Sequence, residues 1–357
     1  MQIRALSGEA LRRWDEFAGR HALGMIYHNS RYSRTLREWG HEFEVLAAED
    51  EGEIIAGAVL NCRPMPLCGW RSANIEGGVL LVRESPELLS EFVDGLLAYL
   101  SRRSYVDLRL FMRHPRRIGD TVVDGSAALH DVLVRRGLAR EDNEIGTYVV
   151  DIDRDEEALI ESFGKNCRRD VRKAQREGVT VDETDDPAIL PDFYEQYVST
   201  YRRKGLTLPL RDPFIRCHAE AMRESLMRMY YASFGGKVVN MALIARVGTP
   251  RYMKGASIAS EAGERMPPTG QVLHFEIMRR LRADGFRAYD LGGCPGPEPI
   301  EGHANYWVWR FKHAFGGAFH QDLGEYYTVL SPLKHRVLTL ARTVHGRIGH
   351  VRASLAE

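Results

Sequence analysis

Residues 305–317 read NYWVWRFKHAFGG, and in that run one lysine, Lys312, follows four aromatic side chains, Tyr306, Trp307, Trp309 and Phe311. An ammonium is strongly hydrated, so placing one among rings implies a task for its charge or a stem that packs while the head reaches water. As a task, a lysine in a partly apolar site stabilises an oxyanion or a phosphate without reorganising. Spacing alone leaves both alternatives open. A second concentration of charge lies within residues 165–176, where Lys165, Arg168, Arg169, Arg172, Lys173 and Arg176 have one acid among them, Asp170. Such a face suits the phosphates of an RNA or a nucleotide, the plainer role being a solvated helix surface. Arg202, Arg203 and Lys204 in YRRKGL add cations at a helix end, where they also complement the helix dipole.

Other segments are weaker. In YDLGGCPGPEP, Asp290 is expected to end a strand, with glycines that allow close backbone approach to a ligand. Cys294 has no base near it in sequence and reads as an inert thiol. His303 and His313 flank the aromatic run, but no Ser-His-Asp order and no metal-ligand spacing is legible. RMPPTG (265–270) occupies the place where acyl-CoA-dependent N-acetyltransferases carry Q/R-x-x-G-x-G/A, a loop whose N–H groups meet the coenzyme pyrophosphate. Pro268 stands where a glycine is expected and has no N–H, so the coenzyme cradle is read as lost.

These groups need a scaffold, and the pattern supplies one twice. FEVLAAEDEGEIIAGAVLNCRP reads as a hairpin turning at Asp50–Gly52, followed by a helix from Ser85 or Pro86 with Leu88, Leu89, Phe92, Leu96 and Leu97 on one face, then the strand YVDLRLF. The order returns about 180 residues later as a hairpin turning at Gly235–Gly236, the helix GQVLHFEIMRRLRADG and the strand FRAYDLGG, which indicates a duplicated domain. Between the copies, one helix is predicted with Leu159, Phe163, Cys167, Val171 and Ala174 along a face and Gly178 as its C-cap. LPDFYEQYVSTYRRKGL, RDPFIRCHAEAMRESLMRM and the tail SPLKHRVLTLARTVHGRIGHVRASL read as further helices.

The chain of 357 residues suits two globular domains. Its 49 basic and 49 acidic residues cancel, so contact with a nucleic acid or membrane must be local, and DNA is not indicated. Five cysteines, Cys62, Cys68, Cys167, Cys217 and Cys294, without a C-x-x-C pair argue against a disulfide framework or zinc ribbon and for a reducing, cytoplasmic setting. No signal-peptide core and no long apolar run is present in the sequence.

Four segments together resemble the FemABX family, the aminoacyl-tRNA-dependent transferases that add amino acids to peptidoglycan precursors and, in some relatives, to other amines. They are YHNSRYSRTLREWG, SFGKNCRRDVRKAQREGVTV, YRRKGL, and YDLGG followed by YWVWRFKHAFGG. The resemblance implies an α/β (α+β) fold of two tandem GNAT-like domains, each a mixed twisted sheet flanked by helices. They are expected at 1–147, with 320–357 packing on this first domain, and at 148–319. Phe311 and Lys312 match the family's Phe-Lys pair, whose lysine is thought to meet the aminoacyl-tRNA end and stabilise charge at the ester carbonyl. Arg203 matches an arginine that contacts the acceptor diphosphate in precursor-binding relatives, Arg34 or Arg37 falls where those relatives keep a lysine, and Tyr252 lies near an acceptor-contacting aromatic. Arg168 and Arg172 are the expected contacts to tRNA phosphates. Relatives acting on lipid-linked precursors often read R-G-P-V-x-D where this chain has EGGVLL (76–81), and the long helical arm of some relatives is absent.

The implied reaction is transfer of an amino acid from aminoacyl-tRNA to an amine, giving an amide, with no cofactor. The acceptor is a peptidoglycan precursor, reached by peripheral membrane contact, or a natural-product or peptide amine. An activated ester needs positioning and oxyanion stabilisation more than a nucleophile, consistent with the missing triad. The alternatives are an acyl-CoA-dependent N-acyltransferase on the same fold and a non-catalytic tRNA-binding protein.

Overall fold

A computed structural model describes residues 1–65, 69–141, 146–203, 207–258 and 266–340. The first half runs β1 (Arg4–Ala5), α1 (Glu9–Arg20), α2 (Ser30–Thr35), β2 (Glu42–Asp50), β3 (Glu53–Pro64), β4 (Arg71–Ile75), β5 (Leu80–Leu81), α3 (Pro86–Ser101), β6 (Tyr105–Ile118), β7 (Thr121–Val122), α4 (Ser126–Arg135) and β8 (Ala139–Arg140). The second runs β9 (Gly146–Asp151), α5 (Glu156–Ser162), α6 (Lys165–Arg176), β10 (Thr180–Thr184), α7 (Leu190–Arg203), α8 (Arg211–Arg223), β11 (Met227–Phe234), β12 (Lys237–Ala245), β13 (Arg251–Ser257), α9 (Thr269–Ala283), β14 (Ala288–Cys294), α10 (Tyr306–His313) and β15 (Ala318–Val329). Residues 332–340 are helical.

Both expected hairpins form, and their turns show why. Glu51 and Gly52 take φ 48° and 88°, Gly235 and Gly236 take 57° and 76°, the left-handed pairs whose twist matches the flanking strands. Helix α3 starts where Ser85 accepts the Leu88 N–H, and it buries Leu89, Phe92, Val93, Leu96 and Leu100, with Leu88 and Leu97 at the rim of that face.

The strands form one mostly antiparallel sheet in the order β1-β2-β3-β4-β6-β15-β9-β14-β13-β12-β11-β10. β15 joins the halves, pairing with β6 through His320–Val329 and with β9 through Ala318–Gln321. Ile26 and Tyr32, from the N-terminal segment, pack with α7 and α8 residues in a core of the second half, so the halves also interlock through side chains.

Two expectations are corrected. The single helix over 156–176 is broken: Phe163 is extended (ψ 153°), Gly164 caps α6, and the Gly164 N–H donates to the Ala314 carbonyl at 2.9 Å. All five apolar residues of the expected face are still buried. The break lets them do so while docking the chain on the end of α10. Asp290 lies inside β14, four residues before its end. It is the registered partner of Arg251 on parallel β13.

Candidate functional site

Helix α10 presents two faces to two cavities. Trp309 and Lys312, three residues apart and therefore on one side, are its buried residues. Lys312 is 6% exposed and its Nζ donates to the Gly293 carbonyl at 2.7 Å. It lines a cavity of about 250 Å³ with Tyr27, Tyr197, Arg251, Tyr252, Lys254 and Gly292–Gly293. Phe311, one position away and so turned to another side, lines a cavity of about 500 Å³ with Lys165, Asn166, Gln271, Trp307 and Arg310. The aromatic run therefore does not surround the lysine. Trp307 is 71% exposed and lies under the Arg310 guanidinium at 5.4 Å.

The smaller cavity lies beside the paired position Arg251↔Asp290, between β13 and β14. Asp290 holds this region together: it pairs with buried Arg251, accepts from the Thr147 hydroxyl, and accepts the Gly292 N–H at 2.7 Å. Gly292 has φ 81°, and a Cβ there would stand 2.9 Å from the Tyr252 carbonyl oxygen and 3.5 Å from Lys312 Nζ. Glycine is required by both conformation and space. His274 packs edge-on to Tyr252 at 4.8 Å and bonds the Tyr289 hydroxyl at 3.0 Å. Burial first, and the Lys312 charge second, push its pKa down to about 3, so it is a neutral support. Burial pushes the Tyr252 hydroxyl up to about 12. It also raises the Cys294 thiol, which Lys312 opposes only in part. Cys294 stays a buried thiol.

The larger cavity continues into a basic groove of about 440 Å³, with which it shares Lys165 and Asn166, and which Arg168, Arg169, Arg172 and Arg176 line. Its charge is more balanced than the sequence suggests. Glu161, across the α5–α6 break, accepts from Arg168 at 2.6 Å and from Arg172 at 3.2 Å, and Asp170 pairs with Arg169.

The remaining expected residues scatter. Arg37 reaches both carboxylate oxygens of Glu220 on α8 at 3.1 Å, and Arg34 is exposed on α2. Arg203 closes α7 with its side chain outside the described residues, as are Lys204, Arg265 and Cys68. His313 bonds the Tyr148 hydroxyl at 3.1 Å and His303 packs edge-on to Trp309, both serving as packing. Lys254, Arg251 and Tyr27 were not found by sequence reasoning. Two cations in RYMKGAS, a short strand of otherwise uncharged residues, were the available signal.

The start of α9 is the place where the sequence reads as having lost a coenzyme A pyrophosphate cradle. Pro268 is its N-cap and offers no N–H, and a Cβ on Gly270 would meet the Phe311 ring at 3.1 and 3.4 Å, so that ring covers the helix's first turn. The described residues of this turn do not fit a pyrophosphate. Among the described residues no group of His, Cys, Asp and Glu could hold a metal ion, and no helix is long and apolar enough to cross a membrane.

Comparison with known proteins extends this picture. The family profile described as "Acetyltransferase (GNAT) domain" matches residues 161–308. The UDP-N-acetylmuramoylpentapeptide-lysine N(6)-alanyltransferase of Weissella viridescens is 22% identical over 331 residues, covering 91% of this chain and 95% of that protein. The crystal structure of FemX superposes with a TM-score of 0.80 at 16% identity over 94% of this chain and 99% of that one. A tandem GNAT protein from the clavulanic acid biosynthesis pathway gives 0.54 at 13% identity over 93% and 99%.

Proposed function

We propose that this chain, FemABX-like in sequence and fold, is an aminoacyltransferase that moves an amino acid from aminoacyl-tRNA to an amine, forming an amide. The observation that carries the reading is the placement of Phe311 and Lys312, consecutive on α10, at a groove-linked cavity and at a separate tyrosine-lined cavity. The basic groove receives phosphates of the tRNA acceptor end, and exposed Trp307 and Phe311 offer stacking surfaces to its terminal bases. The acceptor amine enters the smaller cavity.

The amine nitrogen attacks the ester carbonyl, the new C–N bond forms, and the tetrahedral oxyanion collapses with loss of the ribose oxygen. The nitrogen loses a proton and the ribose oxygen gains one. Lys312 supplies charge to the oxyanion and the leaving oxygen from a site where water is scarce, and the Gly293 carbonyl holds its ammonium ready. The Weissella relative's name suggests a peptidoglycan-precursor amine as acceptor, met in the cytoplasm or at a membrane surface. Tyr252 and Arg203 are the proposed acceptor contacts and Arg168 and Arg172 the donor contacts. No step runs through coenzyme A.

The test is incubation with a pool of radiolabelled aminoacyl-tRNAs and a bacterial metabolite extract, following label into alkali-stable product. Transfer by the wild type and not by Lys312→Ala supports the reading. Retention of all label in ester form, with tRNA bound in a salt-dependent way, points to a binding protein. Consumption of acetyl-CoA in place of aminoacyl-tRNA contradicts it outright.

A further inference from the structure

Lys254 has no assigned task, and its surroundings are unusual for a lysine. It lies on β13, where the register against β12 slips between Leu243↔Lys254 and Ile244↔Tyr252. Met253 is the extra residue of this bulge. Without it, Tyr252 and Lys254 would share a sheet face. With it, Tyr252 packs on His274 toward α9, while Lys254 is set over the rings of Tyr197 on α7 and Phe214 on α8, with Nζ 5.7 and 5.9 Å from their centroids. Bulges commonly re-aim a side chain in this way.

Both lysines nevertheless line one cavity, with Lys312 and Lys254 on its wall. Among the described residues, its lining contains no carboxylate. Arg251 is answered by Asp290 and Lys312 is held by a backbone carbonyl, whereas no acid among the described residues pairs with Lys254. Its charge is felt by a buried thiol, Cys217, and by His218, whose pKa is pushed down to about 4 by burial first and by the Lys254 charge next. Burial also lowers the Lys254 pKa. Ring faces stabilise such an ammonium only modestly, so it is left with unspent capacity for an anion.

We propose that Lys254 is the anchor for an anionic group, a carboxylate or a phosphate, carried by the acceptor close to the amine that reacts. The word acceptor rests on the transferase reading; the anion site does not. Specificity follows from desolvation: an acceptor lacking the anion leaves the half-buried ammonium unanswered.

Calorimetry decides it without catalysis. Wild type, Lys254→Met and Lys254→Arg are titrated with glycylglycine, O-phosphoethanolamine and glycinamide, which share an amine and differ in carrying a carboxylate, a phosphate or neither. The expected result is that at least one anionic probe binds the wild type about tenfold or more tightly than glycinamide does, with the preferred probe naming the anion. Lys254→Met should lose that preference and Lys254→Arg should keep it, with matching circular dichroism showing that all three are folded. Equal binding of the three probes to the wild type, or an anion preference that survives in Lys254→Met, overturns the proposal. Enzyme-dependent formation of hydroxamate from aminoacyl-tRNA and hydroxylamine, a neutral nucleophile, reports on the transferase reading separately. An intact anion preference without hydroxamate sinks that reading and leaves the anion site standing.

Discussion

Exchanging Lys312 for methionine separates its two possible roles. In the resting structure its Nζ is spent on the Gly293 carbonyl at 2.7 Å, in a position 6% exposed. If that ammonium is shared with or turned to the oxyanion during reaction, its loss resembles removal of one oxyanion-hole donor, on the order of 10²–10³ in kcat, or about 2.7–4 kcal/mol. Stability should respond far less. Methionine keeps the length of the stem and removes the cost of a buried charge, but leaves the Gly293 carbonyl without this donor. Each of these opposing terms is about 1–3 kcal/mol. A net change near 1 kcal/mol moves Tm by only about 1–2 °C in a chain of this length. The assay is single-turnover label transfer from saturating aminoacyl-tRNA, alongside thermal unfolding of the same preparations. A Lys312→Met rate within about threefold of wild type, whatever the Tm, would refute the oxyanion role and leave the lysine as a packed stem.

Three other outcomes are expected. Gly292→Ala forces a side chain into φ 81° and toward the Tyr252 carbonyl, which should cost about 1–2 kcal/mol in urea unfolding and lower transfer; unchanged stability would show that this backbone is not constrained. Arg168→Glu with Arg172→Glu should raise the KM for aminoacyl-tRNA and flatten its dependence on salt by about one phosphate contact per residue, leaving kcat with saturating donor nearly unchanged; an unaltered salt slope would place the tRNA elsewhere. Burial keeps His28, His114, His218 and His274 neutral, with pKa values pushed down to about 3, 4, 4 and 3. The unfolded chain binds protons on these groups below about 6.5 and the folded chain does not, so stability should rise with pH from about 4 to 6.5. Asp322 acts with opposite sign: burial pushes its carboxyl up to about 7, so the folded state keeps a proton that the unfolded chain releases above about 4. Asp322→Asn should therefore steepen the rise measured by urea unfolding across that range, and a flat profile in both proteins would contradict the assignment.

What could be read in advance follows the range of the interactions involved. Both hairpins were legible because their turns are fixed by two residues, Glu51–Gly52 and Gly235–Gly236. The α5–α6 break was not, since the apolar period continues through Phe163 and the cause is a contact with Ala314 far along the chain. Residues 318–329 carry no strict alternation, so nothing local announces that they pair with β6 on one side and β9 on the other. At the site, the aromatic-lysine run marked Lys312 and Phe311, but their assignment to separate cavities comes from helical phase and from where β13 and β14 lie. Glu161 was invisible as a partner of Arg168 and Arg172 because one helix was expected where two meet. Lys254 was hidden by a bulge, which no alternation rule anticipates.

The most direct measurement is a structure of the protein with a non-hydrolysable mimic of the aminoacylated tRNA 3′ end, the ester replaced by an amide. The terminal adenine should lie on the Phe311 side of α10, among Trp307, Arg310 and Gln271, with the aminoacyl carbonyl oxygen within about 3 Å of Lys312 Nζ. A mimic whose carbonyl lies away from Lys312, or whose adenine fills the tyrosine-lined cavity of Tyr27 and Tyr197, would contradict the division into donor and acceptor sites.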